Sequence, residues 1–334
     1  MRMLVPTALA ALLVLPGCDL LKADDACADT AACDDTAAAA PVDLLFVVDN
    51  SDSMQEEATE LAVAFDELEA TLAAAGVVEW EAGILTSSVY YDDGPTSGID
   101  PGEAGTLVGG NMVDNVAALR ENLLCDATCW DQNMPSDPAY VCGDPLTGDV
   151  SEEYLDCVCG VGDWSGNCGT GQEQGIEAAY IAMCRGVAVP PADCYSFPTG
   201  AAVVFASGDE GSNVGLAEAG ADTLIVIVTD EGDSSLRTES GAAAVPGDVD
   251  VVVNAYTGLF GALGGNVRVS TIGPTWDGTD GSCLGGAQEW GVERYQGVAT
   301  GTGGTFESLT DVASDCSARS MGGLVDSVVT AGVR

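Results

Sequence analysis

The stretch Asp43-Leu-Leu-Phe-Val-Val-Asp-Asn-Ser-Asp-Ser-Met54 predicts the fold of this chain. Residues 44–48 are all apolar and are bounded by polar residues, which is typical of a β-strand buried on both faces. Asp49, Ser51 and Ser53 follow at every second position, and residues 55–75 then have the apolar spacing of a helix. An acid and two hydroxyls therefore come at the carboxyl end of a central strand, where open α/β sheets bind ligands.

A second apolar run has the same form. Residues 224–228 precede Thr229 and Asp230, so a second acid follows a second buried strand. Between the two runs, Thr170 stands between two glycines, just before a segment with helical character. Glycine lets the backbone bend so that one hydroxyl can point at a ligand. On its own this threonine would be interpreted as a helix N-cap, but its place between the other two elements favours a ligand.

Taken together, these three elements resemble the metal-ion-dependent adhesion site of von Willebrand factor type A (VWA) domains. The resemblance covers roughly residues 41–332 and is weakest at 125–169. It implies that Asp49, Ser51, Ser53, Thr170 and Asp230 hold Mg²⁺, or Mn²⁺ or Ca²⁺ in its place, directly or through water. It also implies an open coordination position, which a protein or glycan-bearing partner fills with a carboxylate.

The rest of the chain alternates between predicted strands and helices. Strands are predicted at 78–89, 266–274 and 305–309, and helices at 115–124, 250–263, 290–300 and 314–329. Alternation of this kind predicts a doubly wound α/β fold with a mostly parallel sheet flanked by helices. The VWA domain is thus expected to span residues 42–332.

The loop after the second strand, 230–233, is unusually acidic. The VWA family often has a glycine directly after the motif Asp, whereas this chain has Glu231, followed by Gly232 and Asp233. These acids could hold a second cation, but a solvated acidic loop is the preferred interpretation.

A cysteine-rich segment interrupts the domain. Residues 125–194 contain eight cysteines, and the part at about 125–168 has little hydrophobic periodicity. We interpret this part as a loop insertion stapled by disulfides at the metal face. Eight cysteines allow 105 pairings, and the sequence does not choose among them. A zinc cluster is the alternative, but the spacings do not match a zinc ribbon.

The amino terminus predicts export. Residues 1–18 have a basic start and a short apolar core that ends in Leu15-Pro16-Gly17-Cys18, which resembles a bacterial lipobox with Cys18 as the lipidated residue. An ordinary signal peptide is the alternative. Residues 19–41 form a low-complexity tether. We therefore expect a lipid-anchored protein of the bacterial cell envelope, periplasmic or on the surface.

The composition excludes several functions. The chain has no His and one Lys, which removes His-dependent nucleophilic catalysis and most zinc enzyme sites. A formal charge of −44 opposes nucleic-acid binding. We expect a binding protein rather than an enzyme. The alternatives are a structural or sensing module whose metal only ties loops together and, less favoured, a hydrolase of envelope polymers that uses the acidic loop 230–233.

Overall fold

A computed structural model describes most of the domain. Thr170, Cys18, the signal segment 1–18 and the tether up to residue 39 lie outside the described residues, as do Cys168, Cys283 and Cys316. The described residues are 40–89, 104–130, 134–144, 146, 150–161, 174–195, 208–218, 220–238, 244–245, 247–264, 266–274, 289–311 and 317–333.

A five-stranded sheet forms the centre of the domain, and all its neighbouring strands are parallel. The strand order is β2-β1-β3-β4-β5. The strands are β1 (Val42–Val48), β2 (Trp80–Thr86), β3 (Asp222–Val228), β4 (Asn266–Gly273) and β5 (Phe306–Ser308). This sheet, with helices on both faces, confirms the predicted doubly wound α/β fold.

The helices form two layers. In the described residues they are α1 (Gln55–Ala74), α2 (Val116–Glu121), α3 (Glu152–Val158), α4 (Gly175–Gly186), α5 (Val249–Ala262), α6 (Glu289–Thr302) and α7 (Met321–Gly332). Helices α1 and α7 pack together on one face of the sheet, and α4, α5 and α6 contribute to the core on the other. A short antiparallel pair, β6 (Thr310–Asp311) and β7 (Ser317–Ala318), precedes α7.

Strand β1 is buried along its whole length because both of its faces are covered. Leu44 and Phe46 belong to the core under α1, where the ring of Phe46 meets the ring of Phe65 at 5.0 Å. Leu45 and Val47 belong to the core on the opposite face. Burying each such side chain contributes about 1.5–3 kcal/mol, which explains the uninterrupted apolar run.

The cysteine-rich insertion is more ordered than a loop. Helix α2 continues into a π-helical turn that carries Cys125, and Cys125 is bonded to Cys159 at the end of α3. A second disulfide joins Cys142 to Cys157 within the insertion, and Trp130 and other insertion residues pack into the core beside α1. The disulfide prediction is confirmed, and within the segment expected to be largely loops the structure also forms α3 and adds apolar side chains to the core.

All seven described cysteines are in disulfides, which removes the zinc alternative for them. A third bond joins Cys184, near the end of α4, to Cys194.

The sheet has its topological switch point beside β1. The chain passes from β1 to β2 on one side, and β3 then pairs with β1 on the other side. In such sheets the crevice outside the carboxyl ends of the two diverging strands is the usual ligand site. The loops after β1 and β3 are those that carry Asp49 and Asp230.

Candidate metal centre

Backbone hydrogen bonds hold the two motif loops side by side. The parallel register of β1 and β3 pairs Val48 with Val228, so both strands end at the same level. The Asp49 N–H then donates to the Val228 carbonyl at 2.9 Å. The structure thus brings Asp49 and Asp230 to one edge of the sheet, as the sequence predicted.

Asp49 is almost fully buried and its carboxylate organises the loop. Its Oδ1 accepts a hydrogen bond from the Ser51 N–H at 2.8 Å, and its Oδ2 accepts one from the Thr229 hydroxyl at 2.7 Å. The Thr229 hydroxyl in turn accepts from the Glu231 N–H at 3.0 Å. Asp49 therefore links the loop after β1 to the loop after β3, which is a contact that the motif alone did not predict.

The two serine hydroxyls converge. Ser51 Oγ and Ser53 Oγ lie 2.9 Å apart; Ser51 is buried and Ser53 is exposed. This separation suits a hydrogen bond, and it also matches the distance of about 2.9 Å between adjacent ligands of an octahedral Mg²⁺ whose bonds are about 2.1 Å. The two hydroxyls are thus spaced as neighbouring ligands of a small cation are.

The acids of this edge repel one another. Burial raises the pKa of Asp49 above its usual value and the nearby Asp230 raises it further, whereas hydrogen bonds from Ser51 and Thr229 lower it. Burial is also the main reason why the pKa of Glu57 rises to about 7, and Asp230 adds to that shift. Several carboxyl groups thus lie close together at this edge, where burial and mutual repulsion favour their protonated forms, and a bound cation would stabilise the ionised forms.

Glu57 is a site residue that the sequence analysis missed. It lies in the first turn of α1, four residues after Ser53, and its Oε2 is buried without a hydrogen-bond partner in the described part of the chain. Its position one helical turn after the last motif serine was the available signal. Only the packing shows that Asp230 lies near enough to raise the pKa of the Glu57 carboxyl group.

The start of α4 lies at the same edge of the sheet. The Gln174 N–H, just before α4, donates to the Ser87 carbonyl at 3.2 Å, and the Ser87 N–H donates to the Val48 carbonyl at 2.9 Å. Beside them the Ser88 hydroxyl donates to Asn50 Oδ1 at 2.7 Å. The predicted ligand Thr170 is four residues earlier in the sequence than Gln174 and lies outside the described residues.

The donor set fits a hard cation. The described residues contain no cluster of three or more His, Cys, Asp or Glu side chains able to hold a metal. A site that includes serine hydroxyls does not need such a cluster, because Mg²⁺ in proteins binds carboxylates, hydroxyls and water. Asp49, Ser51 and Ser53 could supply such oxygens, with Asp230 and Glu57 beside them.

Asp233 differs from the expected solvated acid. It is fully buried, and its Oδ1 accepts from the Ser235 hydroxyl at 2.7 Å and from the Ile176 N–H at 3.4 Å. Arg294 approaches its Oδ2 to 4.0 Å and donates to the Asp233 carbonyl at 3.3 Å. The solvated interpretation of this acid is therefore wrong, because the carboxylate is enclosed and has a cationic partner from α6.

Comparisons with known proteins do not assign a family. No family model matches the chain, and no curated protein matches it. Among the solved structures similar to it is proximal thread matrix protein 1 from the mussel byssus, with a TM-score of 0.35 and 10% sequence identity. The alignment covers 89% of this chain and 46% of that one, so the chain spans less than half the length of that structure.

The three disulfides that join described cysteines to one another fit an extracytoplasmic location, because thiols stay reduced in most cytoplasms. Within the described ranges, every helix is too short or too polar to cross a bilayer.

Proposed function

We propose that this chain is a lipid-anchored VWA-type binding protein of the bacterial cell envelope that recognises its partner through a divalent cation. Asp49, Ser51, Ser53, Thr170 and Asp230 hold the cation, which is Mg²⁺ or, in its place, Mn²⁺ or Ca²⁺. Cys18 carries the lipid, and residues 19–41 tether the domain to the membrane.

The observation that carries the proposal is the geometry after β1. The Asp49 carboxylate fixes the Ser51 backbone at 2.8 Å, and the hydroxyls of Ser51 and Ser53 converge to 2.9 Å. This arrangement occurs at the switch point of the sheet, beside the second acid-bearing loop. Such pre-organisation lets a small cation bind without first rearranging the loop.

The nature of the ligands suggests the kind of partner. Three neutral hydroxyls and two carboxylates would supply five oxygen ligands, whereas Mg²⁺ prefers about six. One coordination position would therefore remain for an oxygen from outside the chain. Water or a carboxylate of a protein or glycan-bearing partner completes the shell. The exposure of Ser53 supports access to the ion from solvent.

Two other functions make different predictions. A structural or sensing module would bind the cation but lose no partner on chelation, so capture of partners from envelope extract with and without EDTA separates it from a binding protein. A hydrolase that uses the loop 230–233 is disfavoured because Asp233 is enclosed and faces Arg294. A glycosidase acid must reach the sugar.

The cation site is tested by calorimetric titration of Mg²⁺ and Mn²⁺ into wild type and Asp49→Ala. We expect the affinity to fall by at least about 100-fold, since loss of even an outer-shell partner typically costs 10- to 100-fold. The control is Ser212→Ala, which removes an exposed hydroxyl. Ser212 belongs to the segment 211–218, and the backbone amides of residues 217 and 218 in that segment donate to Asp43 at the opposite end of β1. Equal affinity in wild type and Asp49→Ala would refute the site.

A further inference from the structure

A groove runs along α1, away from the metal centre. It begins at Gln55 and Glu56, directly after the motif serines, and has a volume of about 740 Å³. One wall is α1, the other is the disulfide-braced insertion, and Met321 at the start of α7 closes one side. We call this feature the α1 groove.

The α1 wall is acidic. Glu56, Glu60 and Glu67 line the groove together with Val63, and they share one face of the helix because they are four, three and four residues apart. At 1.5 Å per residue this row extends for about 16 Å. The carboxylates of Glu56 and Glu67 are exposed, and Glu60 also accepts from the Met321 N–H at 3.4 Å.

The opposite wall is apolar. The half-buried Met134 and the exposed Pro135 of the insertion line it, beside the largely buried Trp130 and Val150, and the Trp130 ring is fixed because its Nε1 donates to the Leu124 carbonyl at 2.5 Å. The nearby disulfide between Cys125 and Cys159 ties the start of the insertion to the residue just after α3. A row of acids thus faces a rigid apolar surface across an open groove.

We infer that the α1 groove binds an extended segment of a partner polypeptide in which basic side chains alternate with apolar ones. Successive side chains of an extended strand point to opposite sides, so one set can face the glutamates while the other contacts Met134, Pro135 and the exposed edge of Trp130. Alternate residues on a strand are about 6.6 Å apart, close to the spacing of about 6 Å between Glu56 and Glu60. About five residues of extended chain match the 16 Å row.

A second copy of this chain does not offer such a segment. The sequence has nine Lys and Arg against 53 Asp and Glu. Five arginines of the described residues are already in ion pairs within the chain, and Arg268 donates to the Gly332 carbonyl. The other three basic residues, Arg2, Lys22 and Arg334, are far apart in the sequence, so a segment with alternating basic side chains has to come from another polypeptide.

The test uses a fluorescein-labelled hexapeptide of alternating lysine and leucine with an amidated carboxyl terminus. Its anisotropy is measured with the full-length protein in EDTA and at physiological salt, which screens long-range attraction to the net charge. The peptide has no carboxylate and no metal is present, so failure here and failure of the cation site are separate results.

The decisive variant is the triple substitution Glu56→Gln, Glu60→Gln and Glu67→Gln. Its matched control is Glu69→Gln, Glu79→Gln and Glu121→Gln, which changes the net charge equally at exposed acids outside the groove. We expect about tenfold weaker binding for the groove variant, because three exposed ion pairs are lost, and less than about twofold for the control. Equal weakening in both would overturn the inference.

Two further measurements test the apolar contact and the identity of the occupant. A peptide that alternates lysine with serine should bind at least about tenfold more weakly, because it offers nothing to the apolar wall. Equal binding of the two peptides would overturn the apolar part of the inference. Concentration-dependent dimers that the groove variant dissociates, seen by sedimentation, would overturn it in favour of a second copy.

Discussion

Two buried carboxylates of this domain, those of Glu177 and Asp49, have different kinds of partner. Glu177 in α4 is fully enclosed and accepts two hydrogen bonds from Arg237, at 2.7 and 2.9 Å, and one from the Tyr256 hydroxyl. Asp49 is equally enclosed, yet its partners are the Ser51 amide and the Thr229 hydroxyl. In the described residues, no arginine forms an ion pair with Asp49 or Glu57.

The contrast is between buried acids that have an arginine partner and the buried acid of the candidate metal centre, which has none among the described residues. A buried ion needs a counter-ion, and the chain supplies an arginine to Glu177 and to Asp233. At the carboxyl end of β1 it supplies hydroxyls and amides, and burial raises the pKa of Asp49. A cation from solution would complete this second setting in the way that arginine completes the first.

The largest effect is expected from Arg237→Met. This change leaves the Glu177 charge buried and unpaired, so the free energy of unfolding should fall by about 3–5 kcal/mol. Urea unfolding measures it. Arg319→Ala, which removes a partly exposed pair with Glu307 at 3.0 Å, is the control and should cost at most about 1 kcal/mol. Equal losses in the two variants would contradict the claim that the buried Glu177 depends on its arginine partner for stability.

A smaller effect is expected from pH. Burial raises the pKa of Asp43 to about 6 and that of Asp233 to about 6, so between pH 4 and 6 the native state binds more protons than the unfolded chain. Stability should therefore fall as pH rises through this window, by about 2 kcal/mol per group between pH 4 and 6.

Asp43→Asn tests this because the variant no longer titrates at a site far from the metal centre. In the wild type, the Asp43 Oδ2 accepts hydrogen bonds from the Ala217 and Glu218 amides at 2.9 and 3.3 Å, and the side-chain oxygen of Asn can accept them in the variant. The slope of stability against pH should flatten in Asp43→Asn and stay unchanged in Glu69→Gln, an exposed control. An unchanged slope in Asp43→Asn would contradict the assignment.

The smallest effect is expected from Asp49→Asn in the absence of metal. The substitution removes a buried charge and keeps one oxygen as a hydrogen-bond acceptor, so stability in EDTA should change by less than about 1 kcal/mol. Thermal unfolding with EDTA measures it. A loss as large as that of Arg237→Met would mean that Asp49 serves the fold rather than a ligand.

The central elements of the fold could be predicted from the sequence because their signals are local. The apolar run at 44–48 lies within β1, and the run at 224–228 lies within β3. The helix predicted at 55–75 is α1 (Gln55–Ala74). The predicted start of the last helix was wrong. A helix was expected from residue 314, but residues 317–318 pair with 310–311 and α7 begins only at Met321.

The site was only partly predictable. Two strands that end at the same level bring Asp49 and the loop of Asp230 together, and a parallel sheet implies this. The enclosure of Asp233 could not be predicted, because its partner Arg294 is 61 residues away and meets it only through the packing of α6. The role of Glu57 and the disulfide pairing also depend on tertiary contacts between segments distant in sequence.

The most direct test of the cation site is a crystal structure of the protein with Mn²⁺, with anomalous scattering used to locate the ion. The account predicts one peak at about 2.0–2.2 Å from both Ser51 Oγ and Ser53 Oγ, with Asp49 within reach directly or through one water. A peak elsewhere, or none at saturating Mn²⁺, would contradict it.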